Sequence, residues 1–248
     1  MSARYPAAVF FDAYGTLIHF PEMPSPFEYM ADAMRRAGFC VPRECLDHAL
    51  RVEMDYFKSR YGTVRTPSAL DRLRAEGADI YLGVLGDVGE VKIDRAHVAN
   101  DLVEAFRPRV LPDALPAIEA VRAAGVRVGV LSNFSYALSM TLDELGLQRL
   151  LDPIVVSAQV GFEKPDPRIF FAAAHAVGVE PSDCVLVGDD LINDIHGAQG
   201  VGMPSVWIVR DSADGPASVS IARNLVDAAH MAIGRGWWTL SVKADVSG

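Results

Sequence analysis

Four short stretches of this chain carry residue types that chemistry could use. Asp12 closes an apolar run in AAVFFDAYGTL, with Gly15 and Thr16 just behind it, and Ser132 and Asn133 close a second run in VRVGVLSN. Lys164 lies in GFEKPDPRIF, and Asp189, Asp190 and Asp194 follow a third run in CVLVGDDLIND. Taken singly, each has an ordinary reading: an Asp after a strand starts a turn, and a Lys before Pro is a solvated surface residue. Together they supply a carboxylate nucleophile, hydroxyl and amide donors for an anion, a cation, and carboxylates of the kind that hard metals choose.

Such residues need elements to hold them. Residues 7–11 are apolar without alternation, which suits a central parallel strand buried on both faces and places Asp12 at its carboxyl end. In open α/β sheets ligands bind just beyond that end. From Leu17 to about Phe106 the pattern is helical. Ser25 and Glu28 form a capping box with Pro26 at the first helical position, Leu46, Leu50, Met54 and Phe57 recur at helical spacing, and Thr66 with Pro67, then Asp94, open two further helices. Pro108, Pro112 and Pro116 mark the return to the core. Beyond them strands are expected at 126–131, 154–157, 184–187 and 205–209, with helices at 136–145, 168–177, near 194–199 and at 221–233. Residues 211–218 read as a loop, and Trp237 and Trp238 as surface packing. Alternating strands and helices imply a parallel, doubly wound α/β sheet, built from residues 1–20 and 108–248, with residues 21–107 as an all-helical insert.

In this order the motifs resemble the haloacid dehalogenase (HAD) superfamily of aspartyl-nucleophile hydrolases, in its phosphatase-like branch. The likeness runs from about Ala7 to Arg210 and is strongest to HAD-like hydrolase-domain proteins carrying SNF and KPDPRIF, present here from Ser132 and from Lys164. The resemblance implies a Rossmann-like HAD core with a helical cap inserted after the first motif. It also implies an aspartyl phosphate on Asp12, hydrolysed in a second step, on a small phosphorylated substrate. A carboxylate approaching a phosphate dianion is repelled, so the site must bring positive charge: Lys164 as a point charge and Mg2+ on oxygen ligands. Asp12 and Asp189 are the expected metal ligands, to which the resemblance adds the backbone carbonyl of Tyr14. Asp190 and Asp194 are expected to hold waters or neighbouring donors behind the ion. Thr16, Ser132 and the Asn133 N–H would bind the non-transferring oxygens.

One departure matters. Phosphatases of the family usually have Asp two residues after the nucleophile, and here Tyr14 takes the place of that leaving-group acid. Asp-x-Tyr-Gly-Thr is the motif of 2-haloacid dehalogenases, whose halide leaves without a proton, so dehalogenation is a competing reading. A degenerate, non-catalytic fold-mate that binds rather than reacts is another.

Composition sets outer bounds. The 248 residues, half of them apolar, suffice for an α/β domain with an insert. With 23 Lys and Arg against 32 Asp and Glu the formal charge is −9, which argues against nucleic acid or anionic membrane as a partner. Cys40, Cys45 and Cys184 form an odd set without paired spacing, so no disulfide framework or zinc site is indicated. No run has the length of a signal peptide or a membrane span, and a cytoplasmic protein, monomeric or homodimeric, is expected.

Overall fold

The computed structural model describes residues 5–21, 25–86, 94–210 and 216–234; Trp237, Trp238 and part of the expected 211–218 loop lie outside them. The chain divides into two compact units, Met1–His19 with Val110–Gly248, and Phe20–Arg109. Along it run β1 (Ala8–Phe11), β2 (Ile18–His19), α1 (Ser25–Arg36), α2 (Arg43–Tyr61), α3 (Pro67–Leu85), α4 (Arg95–Ala105) and β3 (Arg109–Val110). Then follow α5 (Ala114–Ala123), β4 (Arg127–Ser132), α6 (Leu138–Glu144), β5 (Ile154–Val156), α7 (Ser157–Val160) and α8 (Pro167–Ala176). The last elements are β6 (Cys184–Gly188), α9 (Gly197–Gly200), β7 (Ser205–Ile208), β8 (Ser220–Ala222) and α10 (Leu225–Ile233).

Among the described residues the first unit holds a six-stranded sheet in the order β5-β4-β1-β6-β7-β8, every pair parallel. All four residues of β1 are fully buried, as a non-alternating run in a doubly covered sheet must be. Helix α8 shows how the layers are fixed. Asp166 caps it by accepting from Arg168 N at 2.9 Å, with Pro167 at the first helical position. Its inner face then places Ile169, Phe170 and Ala173 against Phe10, Leu131 and Leu186 of three strands.

Two local expectations are corrected. Ile221 does not begin the last helix: residues 220–222 add to β7 as an edge strand, and α10 starts only after Asn224, whose side chain accepts from Asp227 N at 2.8 Å. The turn after β6 is not a simple α-helix near 194–199. Leu191–His196 is π-helical, with Ile195 N reaching back to Asp190 O, and Gly197–Gly200 completes it.

The second unit is helical. Phe27, Met30, Leu50, Tyr81 and Leu102 meet in its core. Thr66 and Asp94 cap α3 and α4, accepting from Ala69 N and Ala96 N. Glu53 on α2 is buried against Gly77 of α3, where a Cβ would come 2.7 Å from its carboxylate. Among the described residues no helix is long and apolar enough to cross a membrane.

Candidate active site

The sheet order puts the motif strands side by side. β1 lies between β4 and β6, with Phe11 level with Val130 on one side and Val187 on the other. From β1 the order runs out through β4 and β5, then resumes on the opposite flank with β6, so it reverses between β1 and β6. In open α/β sheets a reversal of this kind marks the ligand-binding region at the carboxyl ends of the strands. Asp12 enters it directly, its N–H still held by Val187 O at 2.9 Å, and Asp189 enters from the next strand.

The turn after Asp12 is closed by Gly15 N to Ile18 O and by Leu17 N and Ile18 N to Ala13 O. Gly15 takes φ +84, and a Cβ on it would lie 2.1 Å from an Asp189 carboxylate oxygen. Glycine is therefore needed here both for the backbone angle and for the approach of the acid. Thr16, fully buried, donates its hydroxyl to Asp189 Oδ1 at 3.2 Å. The Tyr14 side chain is half exposed.

Lys164 is brought in from the loop between α7 and α8 by a clamp. The Asn133 side chain accepts from Lys164 N at 2.7 Å and donates to Lys164 O at 2.9 Å. From there the buried ammonium donates to Asp12 Oδ1 at 2.6 Å, Asp194 Oδ1 at 2.5 Å and Leu131 O at 3.0 Å. An ammonium has three N–H donors, so its direction is fully determined. Burial opposes its charge, but Asp12 and Asp194 outweigh it and hold the pKa above the usual lysine value. Asp194 is itself buried beneath Gly188, where a Cβ would come 2.2 Å from its carboxylate. Burial and the Asp12 charge push its pKa up, against the pull of Lys164.

Asp12, Asp189 and Asp194 present carboxylate oxygens within 4.8 Å of one another. Desolvation, then the neighbouring Asp12, push Asp189 up to about 6. Three carboxylates face one ammonium, leaving an excess of two negative charges that a divalent cation would cancel. The donors are all hard oxygens; Lys164 takes Oδ1 of Asp194 and Oδ1 of Asp12, and Asp190 N–H takes Oδ2 of Asp194. Asp189 and the other Asp12 oxygen are left to face an ion, so the set fits magnesium.

Ser132 is buried at the end of β4, beside Asn133. Asp190 is engaged by its own turn, accepting from Ile192 N, Asn193 N and Asn193 Nδ2, each at 2.8 Å. Reading the sequence missed three contributors. The Asn133 side chain clamps the Lys164 backbone, where the sequence points only to its main-chain N–H. Trp207 Nε1 donates to Asp189 O at 2.9 Å. Arg210 forms a two-pronged pair with Asp113, at 2.7 and 3.1 Å, and reaches Thr16 O at 3.4 Å. These partners stand 18 to 194 residues apart, and no local signal could have joined them.

Comparison with known proteins identifies the family and the fold. The family model of haloacid dehalogenase-like hydrolases matches residues 6–202, and the chain belongs to that family of enzymes. Over 135 residues it is 39% identical to glyceraldehyde 3-phosphate phosphatase of Methanopyrus kandleri, covering 53% of this chain and 58% of that one. Over 118 residues it is 34% identical to phosphoserine phosphatase of Thermus thermophilus, covering 45% and 47%. The chain thus spans about half the length of these curated relatives. Among solved structures, the defluorinating L-2-haloacid dehalogenase Rha0230 shares the fold with a TM-score of 0.63 and 22% identity, over 92% of this chain and 98% of that one.

Proposed function

We propose that the chain is a cytoplasmic, magnesium-dependent phosphatase of small phosphorylated molecules, working through an aspartyl phosphate on Asp12. The observation that carries this reading is the excess of carboxylate over ammonium at Asp12, Asp189, Asp194 and Lys164. A 2-halo acid would bring its own carboxylate into that negative field, whereas a metal-assisted phosphatase needs the field to hold its cation. The phosphatase names of the two curated relatives lend support.

Asp12, Asp189 and the Tyr14 carbonyl would hold magnesium, which would supply Lewis acidity against the charge repulsion at phosphorus. The residues do the rest. An Asp12 carboxylate oxygen forms a bond to phosphorus as the bond to the leaving oxygen breaks, and the departing oxygen keeps the electron pair. Lys164 keeps Asp12 aligned through its hydrogen bond to Oδ1. Thr16, Ser132 and the Asn133 N–H bind the non-transferring oxygens. Water then cleaves the acyl phosphate, releasing phosphate and restoring Asp12. Tyr14 stands where the leaving-group acid would be, and a phenol is a weak acid at neutral pH. The favoured substrates are aryl or acyl phosphates, whose leaving groups need no proton.

Tyr14 is also the observation that favours a second reading, dehalogenation. Two assays on one preparation separate them: phosphate release from p-nitrophenyl phosphate with and without magnesium, and chloride release from 2-chloropropionate. Phosphate release that a chelator abolishes and magnesium restores is expected. Metal-independent chloride release without phosphatase activity would replace this reading with the second.

A further inference from the structure

The peptide group joining Asp189 to Asp190 lies just past β6, where the ladder to β7 ends at the pairing of Gly188 with Trp207. A carbonyl there has run out of strand partners and needs another donor. The Trp207 indole supplies it, Nε1–H donating to Asp189 O at 2.9 Å. At the opposite edge of the same peptide group, Asp190 N–H donates to Asp194 Oδ2 at 3.0 Å. A peptide group is planar, so holding both edges fixes its orientation. Asp189 hangs from that plane, its carboxylate directed to the Thr16 hydroxyl and seated over Gly15.

We infer that Trp207 is a positioning residue for the metal site: its indole N–H fixes the main chain that aims the Asp189 carboxylate beside Asp12. The inference rests on the magnesium reading above. The Trp207 N–H is spent on the Asp189 carbonyl and not on a carboxylate that would hold the ion, so it acts through the backbone. The indole suits the task because it only donates, so it serves the carbonyl in one sense alone. The other anchor, Asp194, is bonded through Lys164 to Asp12. Trp207 thus ends a continuous series of contacts that runs from the edge of β7 to the proposed nucleophile.

The test is magnesium binding to the full chain, stripped with chelator and titrated by calorimetry without substrate. Wild type is set beside Trp207→Phe and beside a protein carrying benzothienylalanine at 207, which keeps the bicyclic shape and lacks the N–H. Partners one step removed from a metal ligand typically change metal affinity by about 10- to 100-fold. Both replacements should weaken magnesium by at least about 10-fold, leave the metal-free melting temperature near wild type, and raise the magnesium needed for half-maximal activity by the same factor. Wild-type affinity in both variants overturns the inference while leaving the magnesium reading intact. A wild-type protein that binds no magnesium overturns both. If Trp207→Phe fails to fold, the shape-preserving analogue decides, weakened binding supporting the role and unchanged binding removing it.

Discussion

Both units bury ionisable side chains, and they treat them in opposite ways. In the α/β unit Lys164, Asp12 and Asp194 lie buried at the carboxyl ends of the central strands, each hydrogen-bonded to a partner of opposite charge, the ammonium spending all its donors on two carboxylates and a carbonyl. In the helical unit Glu53 is just as buried yet has no hydrogen-bond or ion-pair partner among the described residues, and the Tyr81 hydroxyl is buried without a partner. Burial drives Glu53 up to about 7, and burial followed by the Asp101, Asp47 and Glu53 charges drives Tyr81 upward as well. Inaccessibility alone therefore does not make a reactive site. A buried charge becomes useful when its partners fix its direction and ionisation, and otherwise acts as a load on stability.

The sharpest break in this comparison is Asp12→Asn, which deletes the proposed nucleophile and leaves Lys164 its pairing with Asp194. Phosphate release should fall on the order of 10⁴-fold or more, as for lost covalent nucleophiles elsewhere, with little change in melting temperature. Wild-type-like turnover would end the covalent mechanism. Next comes Lys164→Met, which turns the satisfied cluster into an unsatisfied one. Two buried carboxylates lose their cation, so urea unfolding should show a loss of about 3–5 kcal/mol, and activity should drop roughly 10²- to 10³-fold. A stable Lys164→Met protein would show that the cluster is not held together by charge.

Smaller effects refine the picture. Tyr14→Asp supplies the missing acid, and alkyl phosphates should gain about 100-fold, the lower end of what general acids contribute, while aryl phosphates change little. Equal wild-type rates on both substrate classes would identify another proton donor. Last is Glu53→Gln in the helical unit. The folded carboxyl titrates near 7 against about 4.5 when exposed. Below pH 4.5 both states are protonated and nothing is lost. Between 4.5 and 7 the unfolded chain ionises first, so stability falls, and above 7 the full penalty stands. Glu53→Gln should therefore gain up to about 3 kcal/mol at pH 8 and nothing at pH 4, read from denaturant midpoints at the two pH values. A gain independent of pH would assign the effect to packing.

What the sequence made legible was whatever a short window contains. An unalternating run marked β1, apolar runs marked β4 and β6, and Thr66 and Asp94 announced the helices they cap, whereas the Asp166 cap of α8 showed only in the structure. The parallel alternation gave the doubly wound class before any coordinate. The edge strand at Ser220–Ala222 escaped because three residues with one buried side chain show no period, and the apolar pattern of α10 runs into them. Nor does any residue type signal a π-helical turn after Asp190. At the site the residue types were readable and their directions were not. Nothing local tells that Asn133 turns its amide onto the Lys164 backbone, that Asp194 faces Lys164, or that Asp190 folds back on Asn193.

The glycine at position 15 has a consequence for descent. With φ +84 and an Asp189 oxygen 2.1 Å from where a methyl carbon would stand, position 15 and position 189 are one choice made twice. A lineage that kept the acid could never enlarge residue 15 by a single step, and one that shed the acid would be released from the steric half of the constraint, leaving only the backbone angle. Substitutions at the two places should therefore arrive together or in a fixed sequence, acid first.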